Sequence, residues 1–229
     1  MFKSKGHHFF TLVSDFTLVV ARATADSAPL TVEQIFECPL GGDPAEVWQK
    51  VCEFAGLPAG QYLQAVTGVW PPDRVIRRAT LENPAKTKDP SFLPRYLNEQ
   101  FKIDLSSNLV AALHAKGGHG FSPERGPVKE LVFCGAPRAS LIQQQNQLID
   151  MGVFPTRVEI ASMATVGATL NHMAAVGESM PTLVLELDAE SATVLICSDQ
   201  QLDVARPIPH GFNSMYPVVQ KELGLKDEM

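Results

Sequence analysis

The chain has 229 residues, 45% of them hydrophobic, and a mean hydropathy of +0.01, enough apolar material for one large or two smaller cores of an ordinary globular protein. Its net charge is −6 and its pI about 5.5, with lysine and arginine scattered, so no basic face is on offer to nucleic acid or anionic lipid. No apolar run approaches the roughly 18 residues of a membrane span, and Met1-Phe2-Lys3-Ser4-Lys5 leads into His7-His8 rather than a signal-peptide core, so the expectation is a cytoplasmic chain without direct membrane insertion.

In chain order, residues 8–14 and 16–23 are β-rich, in near-continuous apolar runs that suit strands covered on both faces, and residues 31–38 make a third strand. Asp43 before Pro44 predicts an N-cap with proline at the first helical position. Val47, Trp48, Val51, Phe54 and Ala55 then follow at helical spacing until Gly56 closes the helix. A fourth strand is expected over 61–69, after which Trp70-Pro71-Pro72-Asp73 turns the chain into an apolar stretch from Val75 to Leu81.

At Glu82 the character changes. The run from Asn83 to Pro90 is polar, proline-flanked and lysine-bearing, as at a domain boundary. Beyond it the pattern predicts a helix over 91–101, a strand around 105–114, a glycine-rich loop over 116–127, a strand over 128–134 and a helix over 138–151 closed by a left-handed Gly152. A short strand over 156–160 and a helix over 161–175 complete this part. Cys38, Cys52, Cys134 and Cys197 lie in apolar segments without a CxxC pair and read as buried reduced thiols. His114 and His119 flank Gly117-Gly118 with no acidic or cysteine partner nearby, so no metal is expected.

The chain also echoes itself. Thr11-Leu12-Val13 answers Thr182-Leu183-Val184, Asp15 answers Glu186, Pro39-Leu40-Gly41 answers Pro209-His210-Gly211, and Gly56-Leu57 answers Gly224-Leu225. Each copy reads as strand, polar turn, strand and then Pro-x-Gly into an amphipathic helix, and the copies lie too far apart for stacked solenoid repeats.

These features, with the runs Leu131–Arg138, Gly152–Glu159, Thr182–Asp188 and Ala205–Gly211 in that order, resemble the PilM family, cytoplasmic actin-like components of the inner-membrane platform that assembles type IV pili, with relatives in type II secretion. The resemblance implies an α/β, actin-like fold built from two RNase-H-like units. Residues 1–82 with a closing helix over 159–179 would form the first unit. Residues 83–158 would be the small α+β subdomain inserted in PilM and in the cell-division protein FtsA, and 180–229 an incomplete second unit. Family members continue further, so the expectation is a partial chain.

Actin-like ATPases hold ATP and magnesium with two strand-turn-strand loops, typically Asp-x-Gly followed by a small residue, where glycine lets backbone N–H groups approach the phosphates. Both loops depart from that pattern here. In the first, the aligned positions are Thr11 and Val13, followed by Ser14 and Asp15. In the second they are Glu186 and Asp188, followed by Ala189-Glu190-Ser191. Val13 would obstruct the backbone, and the acids would repel a polyphosphate. Ser14, Asp15, Glu186, Asp188 and Ser191 are therefore the residues of degenerate phosphate loops, and neither a cofactor nor catalysis is expected. In another register Asp15 or Asp188 would be the functional carboxylate, and the alternative is an ATPase or sugar-kinase relative with a working cleft.

The resemblance further implies a groove, between the first unit and the insert, that accepts the cytoplasmic N-terminal segment of a PilN-type membrane partner by strand addition into apolar pockets. Trp70, Val75, Ile76, Leu93, Tyr96 and Leu97 are the candidates to line it, with Arg77 and Arg78 either solvated or facing an acidic partner. The location implied is cytoplasmic and peripheral to the inner membrane. Self-assembly into an oligomer or filament stays open.

Overall fold

The computed structural model describes residues 8–14, 16–26, 30–189, 191–208 and 210–224. They divide into two compact units, one made of the chain through Pro71 together with Arg138–Ala164, the other of Pro72–Pro137 and the chain from Thr165 onward.

The first unit opens with β1 (His8–Val13), β2 (Thr17–Ala23) and β3 (Val32–Pro39), an antiparallel meander whose outer strand β3 is largely exposed. Helix α1 (Pro44–Ala55) begins where the Asp43 carboxylate accepts the Ala45 N–H at 2.9 Å, and ends at Gly56, whose φ of 66° lets it cap the carbonyls of Cys52 and Glu53. Val47, Val51 and Cys52 form its buried stripe. Strand β4 (Leu63–Val69) then pairs parallel to β1.

The chain passes through the second unit as β5 (Val75–Thr80), α2 (Phe92–Phe101), β6 (Asn108–His114) and β7 (Glu130–Pro137). It returns with α3 (Arg138–Asp150) and β8 (Val153–Ile160), which pairs parallel to β4 and completes the order β3-β2-β1-β4-β8. Leu18, Val20, Val51, Leu63, Val69, Leu148 and Val153 are fully buried in this unit. Each such side chain contributes roughly 1.5–3 kcal/mol relative to an exposed position. Between α3 and β8 stands Gly152, with φ of 78°, against the indole of Trp48: a Cβ there would lie 2.1 Å from the ring. Trp48 is itself anchored by Nε1–H donating to the Gln61 carbonyl at 3.0 Å.

In the second unit, β5 and β6 flank β7 in an antiparallel sheet. Leu131–Ala136 is buried throughout, which explains its unbroken apolar run: a central strand covered on both faces needs no polar alternation. Leu97 of α2 packs with Ala79, Leu81, Ile103, Leu131 and Phe133. Helix α4 (Ala161–Val176) starts in the first unit and ends in the second. Strands β9 (Thr182–Leu187), β10 (Ala192–Ser198) and β11 (Gln201–Ile208) form another antiparallel meander, followed by α5 (Phe212–Leu223) and Gly224 at φ 63°. The sequence echo is thus a structural one, β9-β10-β11-α5 repeating the plan of β1-β2-β3-α1, although Asp15, Pro209 and Leu225 lie outside the described residues.

Strand pairing draws the joins elsewhere than the sequence pattern did. β5, read as part of residues 1–82, pairs with β7 instead, and α3 and β8, read as part of the insert 83–158, belong to the first unit. The polar run from Asn83 is no domain boundary, since both its sides lie in the second unit: Pro84–Lys88 is a 3₁₀ turn with Thr87 buried and its hydroxyl donating to the Pro84 carbonyl at 2.7 Å. Nor is the first meander covered evenly on both faces, since Leu12 and Phe16 are exposed. All four cysteines are free and buried. Among the described residues no helix is long and apolar enough to cross a membrane.

Candidate functional site

The β1–β2 turn is closed by its own serine. Ser14 Oγ accepts the N–H groups of Phe16 at 3.3 Å and Thr17 at 3.1 Å, and the Ser14 N–H donates to the Thr17 carbonyl at 3.0 Å. Thr11 is buried, its hydroxyl 2.6 Å from that of Thr67, and Val13 is buried beside it. The two positions aligned with aspartate and glycine are therefore core positions. An open depression of about 270 Å³ adjoins this turn, lined by Val13, Ser14, Leu40, Gly41, Asp150 and their neighbours. Among the described residues that line it Asp150 is the charged one, a setting that disfavours a polyphosphate.

The second loop joins β9 to β10 and is organised around Asp188. Its carboxylate accepts the Ser191 N–H at 2.7 Å and the Ser191 hydroxyl at 2.9 Å, while the Asp188 N–H donates to the Ser191 carbonyl at 3.0 Å. On the backbone side, the Asp188 and Ala189 carbonyls accept the N–H groups of Phe212 at 3.0 Å and Asn213 at 2.9 Å. The first donors of α5, the groups that a helix N-terminus would turn toward a phosphate, are bonded to the loop itself. β9 inverts the usual pattern by exposing Leu183, Leu185 and Leu187 and burying Glu186.

Arg74 compensates that buried acid. Its guanidinium is 3% exposed, with Nη2 donating to Thr193 Oγ1 at 2.9 Å and lying 3.9 Å from Glu186 Oε2, and Nη1 lying 3.7 Å from Asp188 Oδ2. Sequence reasoning missed Arg74. The available signal was Glu186 inside an apolar strand, an acid that demands a counter-ion once buried. Arg78 is likewise paired within the chain, to Glu130 at 3.1 Å and Asp203 at 2.6 Å, so it does not wait for an acidic partner. Burial, and then Asp203, push the Cys197 thiol up from its ordinary value.

The proposed partner contacts separate into core and surface. Ile76 and Leu97 are each 2% exposed, Leu97 within the core cluster beneath α2 and Ile76 on the face of β5 opposite Val75 and Ala79, which corrects their reading as contact residues. Val75, Leu93 and Tyr96 are half-buried against the core of the second unit, and Trp70 is half-buried in the first. Tyr96 also lines an open depression of about 300 Å³ with Lys86, Asp89, Phe92, Arg95 and Glu99. Phe92 and Tyr96 lie ring to ring at 5.8 Å there. Hydrogen bonds from the Ser91 hydroxyl and N–H, and then Arg95, hold Asp89 below the usual carboxylate value.

An RNase-H-like sheet interrupted by an insert, followed by a second copy of its opening meander and helix, defines an actin-like fold. Among solved structures the chain is similar to one in a PilM–PilN type IV pilus biogenesis complex, with TM-score 0.67 and 12% identity over 96% of this chain and 66% of that one. It is similar also to the cytoplasmic domain of EpsL, an inner-membrane component of the type II secretion system of Vibrio cholerae, with TM-score 0.51 and 13% identity over 97% and 78% of the two chains. A Bacteroides thetaiotaomicron protein with an actin-like ATPase fold and unknown function matches with TM-score 0.50 and 12% identity over 98% and 79%. No family model matches the sequence, and no curated protein matches it.

Proposed function

We propose that this chain is a non-catalytic, actin-like scaffold of a type IV pilus or related secretion platform, peripheral to the inner membrane, and that it binds the cytoplasmic N-terminal segment of a PilN-type membrane partner. The observation that carries the non-catalytic half is the state of the second loop. Its carboxylates are engaged by Arg74 and its carbonyls by the α5 N-terminus, so the helix donors that a phosphate would need are already taken, which supports the absence of a nucleotide cofactor. The partner half is supported by the likeness to a chain of the PilM–PilN complex and by the half-buried Leu93 and Tyr96, whose ring stands over an open depression.

The test is a calorimetric titration of a synthetic N-terminal peptide from a PilN-type protein into the purified chain. Saturable binding that weakens about tenfold or more in Tyr96→Ala or Leu93→Ala is expected, in the range of a truncated interface anchor. Absence of binding, or binding indifferent to both substitutions, contradicts the proposal. The runner-up, an ATPase or sugar-kinase relative, requires tight binding of magnesium-ATP, and the depression beside Ser14 offers it space but an acid, Asp150, as its charged lining residue.

A further inference from the structure

Arg74 stands just ahead of β5 and reaches β9 and β10, 119 residues away at Thr193. Three of the groups in this cluster, Arg74, Glu186 and Thr193, are buried, and Asp188 remains partly open to solvent. Arg78, the other arginine that leaves β5 for the β9–β11 meander, is a weaker link, because it and Asp203 are about a quarter exposed and screened by water. A buried guanidinium against two carboxylates is different in kind: removing one sign leaves the other uncompensated away from water, which is strongly destabilising, whereas removing both is nearly neutral.

We propose that Arg74 is the resident cation of the β9–β10 loop, an internal plug that fills the position opposite Glu186 and Asp188 where a ligand-borne cation would have to sit. It holds the carboxylate side of the loop shut while α5 holds the carbonyl side. The plug deepens the proposed scaffold function and rests on that reading, because a loop closed from within is a joint between β5 and the second meander and not a ligand site.

The test is thermal unfolding of the full chain as wild type, as Arg74→Met, and as the triple variant Arg74→Met/Glu186→Gln/Asp188→Asn, each with and without magnesium chloride. The single variant is expected to lose roughly 10 °C in its midpoint, and the triple variant to regain most of that loss. If the single variant fails to fold, the triple variant alone decides, since a folded triple variant near the wild-type midpoint supports charge compensation and an unfolded one overturns it. A single variant that melts with the wild type overturns the proposal. So does a magnesium-dependent rise of the wild-type midpoint that the triple variant lacks, because a filled site has no room for a second cation. Peptide binding measured on the wild-type chain separates the two claims: it is present if the scaffold reading is right, whatever the melting experiment on the variants returns.

Discussion

Gly211 sits so close to Asp188 that a Cβ at residue 211 would lie 2.3 Å from the Asp188 carbonyl oxygen. Its backbone is ordinary extended chain, φ −113° and ψ −161°, so what glycine supplies here is space and not an unusual conformation. Gly211→Ala must push the β9–β10 loop off the start of α5. Overpacking of this kind costs typically about 1–3 kcal/mol. Urea unfolding should register that loss, and a variant as stable as the wild type would refute the tight closure of loop on helix.

Gly152 is constrained twice, by φ of 78° and by the Trp48 ring 2.1 Å from where a Cβ would stand, whereas Gly167 lies inside α4 with nothing within 4 Å of an added Cβ. The two alanine substitutions should therefore move stability in opposite directions. Gly167→Ala is expected to gain about 0.5–1 kcal/mol from helix propensity. Gly152→Ala is expected to lose more than that gain, and Trp48 fluorescence should report its displaced indole. Equal midpoints for the two variants would contradict the packing described around α3.

Leu97 and Leu93 are near neighbours on α2 with different surroundings, one 2% exposed in the core and the other half-buried at its margin. Leu97→Ala should cost about 2–5 kcal/mol, the range of a leucine truncated in a core. Leu93→Ala should cost less and act mainly on peptide affinity. Denaturant midpoints and peptide titrations on the pair separate these effects, and a larger stability loss for Leu93→Ala than for Leu97→Ala would contradict this assignment of core and margin.

Tyr96 provides a pH signature. Its phenol is pushed above the ordinary value of 10.0 by burial first and by the charge of Glu82 second. A group whose folded pKa is raised adds stability that is fully present below its unfolded pKa and is lost as pH rises through the folded one. Of the three tyrosines, Tyr96 should thus ionise later than the ordinary value in an ultraviolet absorption titration, and the chain should weaken over the alkaline range above about pH 10. A Tyr96 phenol that ionises at the ordinary value, isolated by comparison with Tyr96→Phe, would contradict its packing beside Phe101 and Phe133.

What could be read from the sequence was what local chemistry determines. Asp43-Pro44 announced the start of α1 and Gly56 its end, Gly152 announced a left-handed residue, and the echo between Thr11 and Thr182 anticipated the repeated meander. The resemblance built on these features led to the actin-like fold. What escaped depends on pairing across long separations. Nothing local in Val75–Thr80 shows that it joins Glu130–Gly135, and nothing local in Val153–Ile160 shows that it completes the sheet of β4. In the candidate site, the degenerate residues Glu186 and Asp188 were visible as acids, but their counter-ion was not, because Arg74 follows a Trp-Pro-Pro-Asp turn where an arginine is ordinarily solvated. Ile76 and Leu97 misled for a related reason: apolar residues at helical or strand spacing look alike whether they face a core or a partner.

The most direct test of the central claim is a calorimetric titration of magnesium-ATP into the longest soluble form of the protein. Two loops closed by Ser14 and by Arg74 with α5 predict no saturable heat at millimolar nucleotide. Stoichiometric, saturable binding would contradict the account and return the chain to the nucleotide-using members of its fold.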